Sequence, residues 1–452
     1  MGAGRMLATM GLLLAATPAG WGQTCTLAEK VQAGDCFKIQ IDMKLSGEMR
    51  IRKDDKTVPL KLEASASHEY PERILAAADG AVQKTARSYE TAKATITVGS
   101  DRVERTLRPD RRLFVSQRYK DQGLVYSPAG ALTREELDLT AGHFDSAAVT
   151  GVLAGKDVAV GDTWKVPANV VQALCNFEGL TEHALTGKLE SVADDTATFS
   201  LTGTATGIDL GAIAKLKIEA TGRFDLKAKR LVSLEWKQKD ERDQGPASPV
   251  TVVESTTTLK RQSIEQPDAL SDVALVSVPA DKDPPPPMLQ LDHRDPQGRY
   301  SFLYVRDWHI TSQAKDHLVM RYMDRGDFVA QVTITPWKKA DKGKHISAEE
   351  FKQTMNDLAG WEPEKELQSG EVTAENGRWV YRFSALGQMD GVTAVQNFYL
   401  VATPEGEQYI LVFTMTPKQV DKLGARDLSL VSSLEIPAPK QTGYVPPPAV
   451  VP

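Results

Sequence analysis

The 452-residue sequence has few of the features that would identify a catalytic or metal centre directly. It contains three cysteines, and no two of its seven histidines have the spacing of metal ligands on a helix, so no zinc ligand set is evident. A Gly-x-Ser-x-Gly nucleophile elbow, a glycine-rich dinucleotide loop and a Gly-Lys-Ser/Thr phosphate loop are also missing. We therefore expect no cofactor, no metal site and no common motif-bearing enzyme.

Two further absences concern partners. The net charge of -6 lacks the basic excess of a nucleic-acid-binding protein. Beyond the N-terminus, no segment approaches the roughly 20 consecutive apolar residues of a transmembrane helix. The sequence thus predicts no nucleic acid and no transmembrane segment, while 41% hydrophobic residues are enough to build ordinary cores.

The N-terminus predicts a secretory signal peptide over residues 1–22. Arg5 gives it a positive start, residues 6–16 are apolar, and residues 17–23 offer small side chains for cleavage. The apolar run is too short to span a bilayer of about 30 Å. A buried N-terminal helix is the alternative. We expect the mature protein to be exported from a bacterial cytoplasm, to the periplasm or the exterior.

Three readings of Cys25 follow from export. It can form a disulfide with Cys36, which an oxidising compartment permits, and Cys175 would then be the odd, buried thiol. It can instead be lipidated, although the preceding Gly22-Gln23-Thr24 differs from a Leu-Ala-Gly-like lipoprotein triplet. It can also remain free.

Four consecutive prolines, residues 284–287, divide the chain. Proline lacks a backbone donor and fixes φ near the polyproline value, so we expect the four prolines to form a stiff spacer of about 12 Å within a Pro-rich linker, residues 263–288. The part of the linker before the prolines, residues 263–283, can be an extended tether or an edge strand. The predicted domains are a β-rich domain over 23–262 and an α/β domain over 289–438. A proline-rich tail, 439–452, is predicted to be disordered.

The first domain alternates apolar and polar residues with period two, the pattern of strands with one buried face. A capping box, Thr133 with Glu136, predicts one short helix. So many antiparallel strands must form a large sheet that curls over its apolar face. The strand runs are 37–45, 94–98, 112–115, 197–201, 214–220, 223–226, 231–236 and 250–254.

This organisation, which includes Gly161-Asp162-Thr163-Trp164 leading into a strand, resembles secreted bacterial β-rich proteins with a LolA-like open barrel. The resemblance covers most of residues 30–262. It implies a concave apolar face able to hold a lipid-like ligand. The alternative is that the same residues fill a core.

The second domain shows strands at 300–305, 318–323, 328–337, 372–374, 379–383, 392–402 and 408–414. Ser347 and Glu350 predict a capped helix, and Thr416-Pro417 predicts the start of a closing helix.

The stretches 300–308, 377–381 and 409–414 in this order resemble the PsbP-like α/β/α sandwich family, over about 140 residues. That family consists mostly of noncatalytic accessory or binding proteins and implies no site residue here. Arg306-Asp307 stands where the family usually has proline before the Trp turn.

Candidate site residues are few. Arg108, Arg111 and Arg112 belong to a basic run that either forms ion pairs in a solvated hairpin or binds anions. His68 stands in a His-Glu stretch that lacks the second histidine of a metalloprotease and is interrupted by Pro71.

We expect a noncatalytic exported protein that binds a lipid-like ligand or an envelope component. The alternatives are a hydrolase built from scattered residues such as His143, Asp145 and Glu178, or a scaffold that docks through the second domain.

Overall fold

A computed structural model describes residues 24–53, 56–78, 80–119, 122–141, 144–278, 283–374 and 377–437. Of these residues, 56% lie in strands and 13% in helices, and the strands form large antiparallel sheets that are not closed. The predicted β-rich, antiparallel character is therefore confirmed. The predictions for residues 1–22 and for 439–452 lie outside the described residues.

The first sheet has fourteen antiparallel strands. The strands of this half of the chain are β1 Thr24–Thr26, β2 Cys36–Lys53, β3 Lys56–Ala78, β4 Ala81–Ser88, β5 Thr91–Val98, β6 Asp101–Thr106, β7 Leu113–Tyr119, β8 Gln122–Tyr126, β9 Asp157–Ala159, β10 Thr163–Lys165, β11 Gly179–His183, β12 Thr186–Ala193, β13 Thr196–Asp209, β14 Ala212–Asp225, β15 Arg230–Arg242 and β16 Val250–Ser263. The main path of the sheet is β10-β12-β13-β14-β15-β16-β2-β3-β4-β7-β8. In addition, β11 pairs with β13, β5 pairs with β3 and with β6, and β1 and β9 form a separate pair.

The second sheet has seven strands in the order β19-β20-β21-β25-β24-β23-β22, and β17 pairs with β18 beside it. These strands are β17 Leu291–Arg294, β18 Ser301–Tyr304, β19 Trp308–Gln313, β20 Leu318–Asp324, β21 Asp327–Pro336, β22 Trp361–Val372, β23 Trp379–Met389, β24 Val392–Ala402 and β25 Gln408–Met415.

Both predicted capping boxes mark true helix starts. Thr133 Oγ1 accepts a hydrogen bond from the Glu136 amide at 3.2 Å, and Ser347 Oγ accepts one from the Glu350 amide at 3.1 Å. The predicted closing helix is divided instead, because Gly424 has φ +57° and interrupts it. The helices are α1 Arg134–Ala141, α2 Ala168–Leu174, α3 Ala348–Asn356, α4 Val420–Leu423 and α5 Arg426–Ser433.

Period two located many of the strands but missed others, among them β3, β4, β6, β8 and β12. The run 214–220 and all but the last residue of 223–226 are parts of one strand, β14, whose inward side chains stay buried along its length. The central strands of the second sheet carry buried apolar side chains on both faces. Leu400 packs with α3 on one face, whereas Tyr399 packs with α5 on the other.

The first part of the predicted linker packs on the first sheet. Leu270, Leu275 and Val278 are buried against β4, β7 and β8, which anchors the segment to the first sheet. The last prolines begin a 3-10 turn, Pro286–Leu289, which tolerates proline because its first residues need no backbone donor. The linker itself stays a prediction.

The described residues form no sheet that crosses this connecting segment, but the largest buried cluster does cross it. The Asp292 amide donates to the Leu132 carbonyl at 2.8 Å, and Arg134 Nη2 donates to the Trp308 carbonyl at 3.0 Å. The two sheets therefore share a core, contrary to two separately packed bodies. The domain boundaries at 262 and 289 stay a prediction.

Candidate functional site

A cavity of about 720 Å³ lies on one face of the first sheet, where its helical cover ends. Helix α1 forms part of the wall, together with residues on either side of the C-terminal end of α2. Arg306 and Asp307 line the cavity from the second half of the chain. A space of this size suits one small-molecule ligand. It is the natural candidate site.

One wall of the cavity is apolar and comes from four strands. Leu45 on β2, Leu62 on β3, Ile96 on β5 and Val253 on β16 contribute to it. The strand register places Leu45 opposite Ala64, and Ala64 opposite Ile96, so these side chains share one face of the sheet.

The apolar wall continues outside the cavity. The β2–β3 register is unbroken, so every second residue of both strands lies on the same face as the cavity wall. In the described structure these side chains belong to no buried cluster and are not packed against one. This apolar strip consists of Leu45, Met49, Ile51, Val58, Leu60, Leu62, Ile96, Val98 and Val103.

Two guanidinium groups lie together at the other side of the cavity. Arg134 Nη2 donates to the Arg306 carbonyl at 2.5 Å, and Arg306 Nε donates to the Leu289 carbonyl at 2.8 Å. Arg134 Nε and Arg306 Nη2 are buried without a hydrogen-bond partner among the described residues. Burial, with Arg134 close by, lowers the pKa of Arg306 to about 10. Arg306 therefore stays cationic at neutral pH, and each arginine of this pair keeps one buried N–H group without a partner among the described residues.

A carboxyl cluster borders the same cavity. Arg242 pairs with Asp209 at 2.6 Å and with Asp240 at 3.2 Å, whereas Glu178 forms no ion pair among the described residues. Burial, reinforced by Asp209, raises the pKa of Glu178. Burial likewise raises the pKa of Asp209 and of Asp240, against the opposing effect of Arg242.

Glu178→Gln is expected to raise the melting temperature near pH 7. A carboxyl group whose pKa is raised by folding stabilises the protein below its unfolded pKa, and this contribution is lost as pH rises through the folded pKa. The amide removes the cost of the buried charge, so the increase in melting temperature should become smaller as the pH falls toward about 4. Thermal unfolding across pH measures it, with exposed Glu182→Gln as the control. A lower melting temperature for Glu178→Gln at neutral pH would contradict the prediction.

A buried ionic network closes the cavity floor. Arg87 Nε donates to Glu72 at 2.8 Å, and Arg87 Nη2 donates to Asp145 at 3.2 Å. Ser146 Oγ donates to Glu72 at 3.2 Å and lies 3.0 Å from the Tyr70 hydroxyl. The network fastens the segment after α1 to the sheet.

The predicted hydrolase residues are only partly brought together. Asp145 and Glu178 both line the cavity, but Asp145 is held by Arg87. His143 lies outside the described residues. Among the residues that the structure describes, the hydrogen bonds of Asp145 include none to a histidine or to another general base.

The predicted anion patch is largely engaged in structural contacts. Arg108 holds Glu136 of α1 through two bonds of 2.7 and 2.6 Å, and Arg111 pairs with Asp110 at 2.7 Å. Arg112 contacts the Glu90 carbonyl at 3.4 Å. This geometry matches the ion-paired hairpin better than a free cationic surface.

The three cysteines are free thiols in the structure, so the predicted Cys25–Cys36 disulfide is not formed there. Cys25 lies opposite Val158 in the β1–β9 pair, and Cys36 Sγ donates to the Gly34 carbonyl at 3.4 Å. Burial raises the pKa of Cys175 to about 12, as expected for an inert thiol. Among the described residues, no group of three or more potential metal ligands occurs, and no helix has the length and hydropathy to cross a membrane.

No family model matches the sequence, and no curated protein is significantly similar to it. A solved structure from Bacteroides thetaiotaomicron has 14% identity and a TM-score of 0.26, covering 34% of this chain and 50% of that one. PsbP from Synechocystis sp. PCC 6803 has 13% identity and a TM-score of 0.27, covering 33% of this chain and 92% of PsbP. Lipovitellin has 10% identity and a TM-score of 0.30, covering 52% of this chain and 26% of its own. Likenesses of this size establish no family, so both resemblances stay predictions.

Sequence reasoning missed the arginine pair. In the sequence, Arg306-Asp307 stands out only as a departure from the PsbP-like pattern, and nothing distinguishes Arg134. The signal available was two charged residues immediately before a buried Trp308, which is 1% exposed.

Proposed function

We propose that the protein is an exported, noncatalytic binding protein for an amphipathic ligand with an acyl chain and an anionic head group. The observation that carries this proposal is a single cavity with an unpartnered apolar wall and a cationic pair, Arg134 and Arg306, that lacks direct ion pairs among the described residues. An acyl chain would cover the apolar wall, and the head group would accept hydrogen bonds from the arginine pair.

The open sheet supports a lipid-like ligand further. Natural sheets seldom leave one contiguous apolar face without a cover, and such a face usually marks a binding surface. A LolA-like open barrel would use the same arrangement. Export rests on the N-terminal signal predicted from the sequence.

Leu62→Asp is expected to abolish binding of cis-parinaric acid, a fluorescent fatty acid, because it places a charge on the apolar wall. Ser65→Asp is the matched control: it adds the same charge to β3 but on the opposite, exposed face. Fluorescence titration of the full chain measures both. Equal binding by Leu62→Asp and wild type would refute the assigned wall.

The head-group assignment has its own test. Arg306→Met is expected to weaken the binding of oleic acid roughly tenfold or more, since hydrogen bonds to charged groups contribute about 1.5–3 kcal/mol. Oleyl alcohol has the same chain and no carboxylate, so it should bind to Arg306→Met and to the wild type with equal affinity. A parallel loss for both ligands would show that Arg306 shapes the cavity and does not bind the head group.

A further inference from the structure

The carboxyl cluster of Glu178, Asp209 and Asp240 carries more negative charge than its basic neighbour can balance. Arg242 pairs with Asp209 at 2.6 Å and with Asp240 at 3.2 Å, and Glu178 forms no ion pair among the described residues. When all three carboxyl groups are ionised, three negative charges and one positive charge leave a net charge of -2. Charge that is partly buried in this way is costly without a counter-charge, so the cluster favours a cation on its cavity side.

Asp240 supplies the hydrogen-bond acceptor that points to a ligand most directly. Its side chain is only 10% exposed, and its Oδ2 atom accepts the bond from Arg242. Its Oδ1 atom and Oε2 of Glu178 are buried without a hydrogen-bond partner among the described residues. Both residues line the cavity. Ionised carboxylates can only accept hydrogen bonds, so these two oxygens favour a ligand group that donates them.

The carboxyl cluster and the arginine pair are neighbours in the same cavity. Burial and Asp209 raise the pKa of Glu178, and Asp307 adds a smaller contribution, so Asp307 lies within electrostatic reach of Glu178. Asp307 directly follows Arg306, and both of them line the cavity. One ligand can therefore meet an acidic and a basic group side by side.

We propose that the head group of the ligand is zwitterionic, with its anionic group on the arginine pair and a primary ammonium group on the carboxyl cluster. This inference rests on the proposed function, which supplies the acyl chain and the anionic group. A phosphoethanolamine head group has the required chemistry. Its phosphate accepts hydrogen bonds from guanidinium groups, its ammonium group donates three, and a short linker joins the two charges.

Other cations and a purely anionic head group would fit the observations less well. A quaternary ammonium group has no N–H for Asp240 Oδ1 or Glu178 Oε2, and proteins bind such groups mainly on aromatic faces. A metal ion is disfavoured because the part of the chain that the structure describes contains no group of three or more potential metal ligands. An anionic head group without an ammonium would lie beside the carboxylates uncompensated, and like charges repel.

Titration calorimetry of the full chain with lauroyl lysolipids tests the proposal. Lysolipids with phosphoethanolamine, phosphocholine and phosphoglycerol head groups share one acyl chain and differ only in the head group. We expect the wild type to bind the phosphoethanolamine lipid about tenfold more tightly than the other two, which is the usual effect of a hydrogen bond to a charged group.

Variants of the carboxyl cluster locate the ammonium group. Asp240→Asn and Glu178→Gln should each weaken binding of the phosphoethanolamine lipid about tenfold, because each removes a charged acceptor. Asp243→Asn makes the same change at an exposed position of the chain that does not line the cavity, and it should bind like the wild type. Unchanged circular dichroism shows that a weakened variant is still folded.

The other outcomes separate this inference from the proposed function. Equal affinity of the wild type for all three lysolipids would overturn the ammonium site and leave the proposed function intact. A preference for phosphoethanolamine that survives in both Asp240→Asn and Glu178→Gln would overturn it as well. If no lysolipid binds, the proposed function fails, and free phosphoethanolamine decides the inference by itself. Binding to the wild type but not to Asp240→Asn would support the ammonium site, whereas no binding would overturn it.

Discussion

Arg87→Met is expected to lower the free energy of unfolding by about 3–5 kcal/mol, the usual cost of leaving a buried charge without its partner. The side chains of Arg87 and Glu72 are 3% and 2% exposed, so neither charge can be solvated by water once the other is gone. Asp145 would lose its contact with Arg87 at the same time. Urea unfolding followed by circular dichroism measures the change.

Two comparisons make the Arg87 result specific. Arg102→Met removes a pair with Glu104 whose side chains are 64% and 68% exposed, and such pairs contribute at most about 1 kcal/mol. The double variant Arg87→Met, Glu72→Met removes both buried charges and should recover part of the loss. A loss for Arg87→Met no larger than for Arg102→Met would show that water reaches the network.

The loss should extend to ligand binding. The Arg87–Asp145 contact holds the segment after α1 against the sheet, and both residues line the cavity. A looser segment would leave one wall poorly formed. Binding of cis-parinaric acid should therefore weaken in Arg87→Met even where most of the protein remains folded.

Local features of the fold were predictable, because their causes are local. A hydroxyl three residues before a glutamate identified the starts of α1 and α3, and period two identified about half of the strands. The interruption at Gly424 was missed because the apolar stripe continues across it. A glycine can adopt φ +57° at little cost, and the pattern alone does not reveal that it does.

The candidate site was not predictable, because its parts come from distant stretches. Leu45 and Arg306 line one cavity only after β16 pairs with β2 and the second half of the chain packs on α1. Alternation told us which side chains share a face of the first part of β2, but it did not identify β3. It did not tell us where the cover ends, and that boundary creates the apolar strip.

Trp308→Ala is expected to cost about 3–5 kcal/mol, the range for removing a large aromatic side chain from a core. Trp308 is 1% exposed, and its ring centroid lies 5.3 Å from that of Tyr322 and 6.0 Å from that of Phe413. The cluster that contains it continues into the first sheet. Because the core is shared, the loss should appear in both sheets.

Hydrogen exchange shows in which strands Trp308→Ala lowers stability. Amides of β13 and β14 in the first sheet and of β24 and β25 in the second should lose protection together, as one cooperative unit. Val103→Ala, at a position 51% exposed on the apolar strip, should leave both sets unchanged. If β13 and β14 kept their full protection while β24 and β25 lost theirs, the two sheets would be independent folding units. The connecting segment would then be the flexible joint between them, and the arginine pair would be held in place by α1 alone.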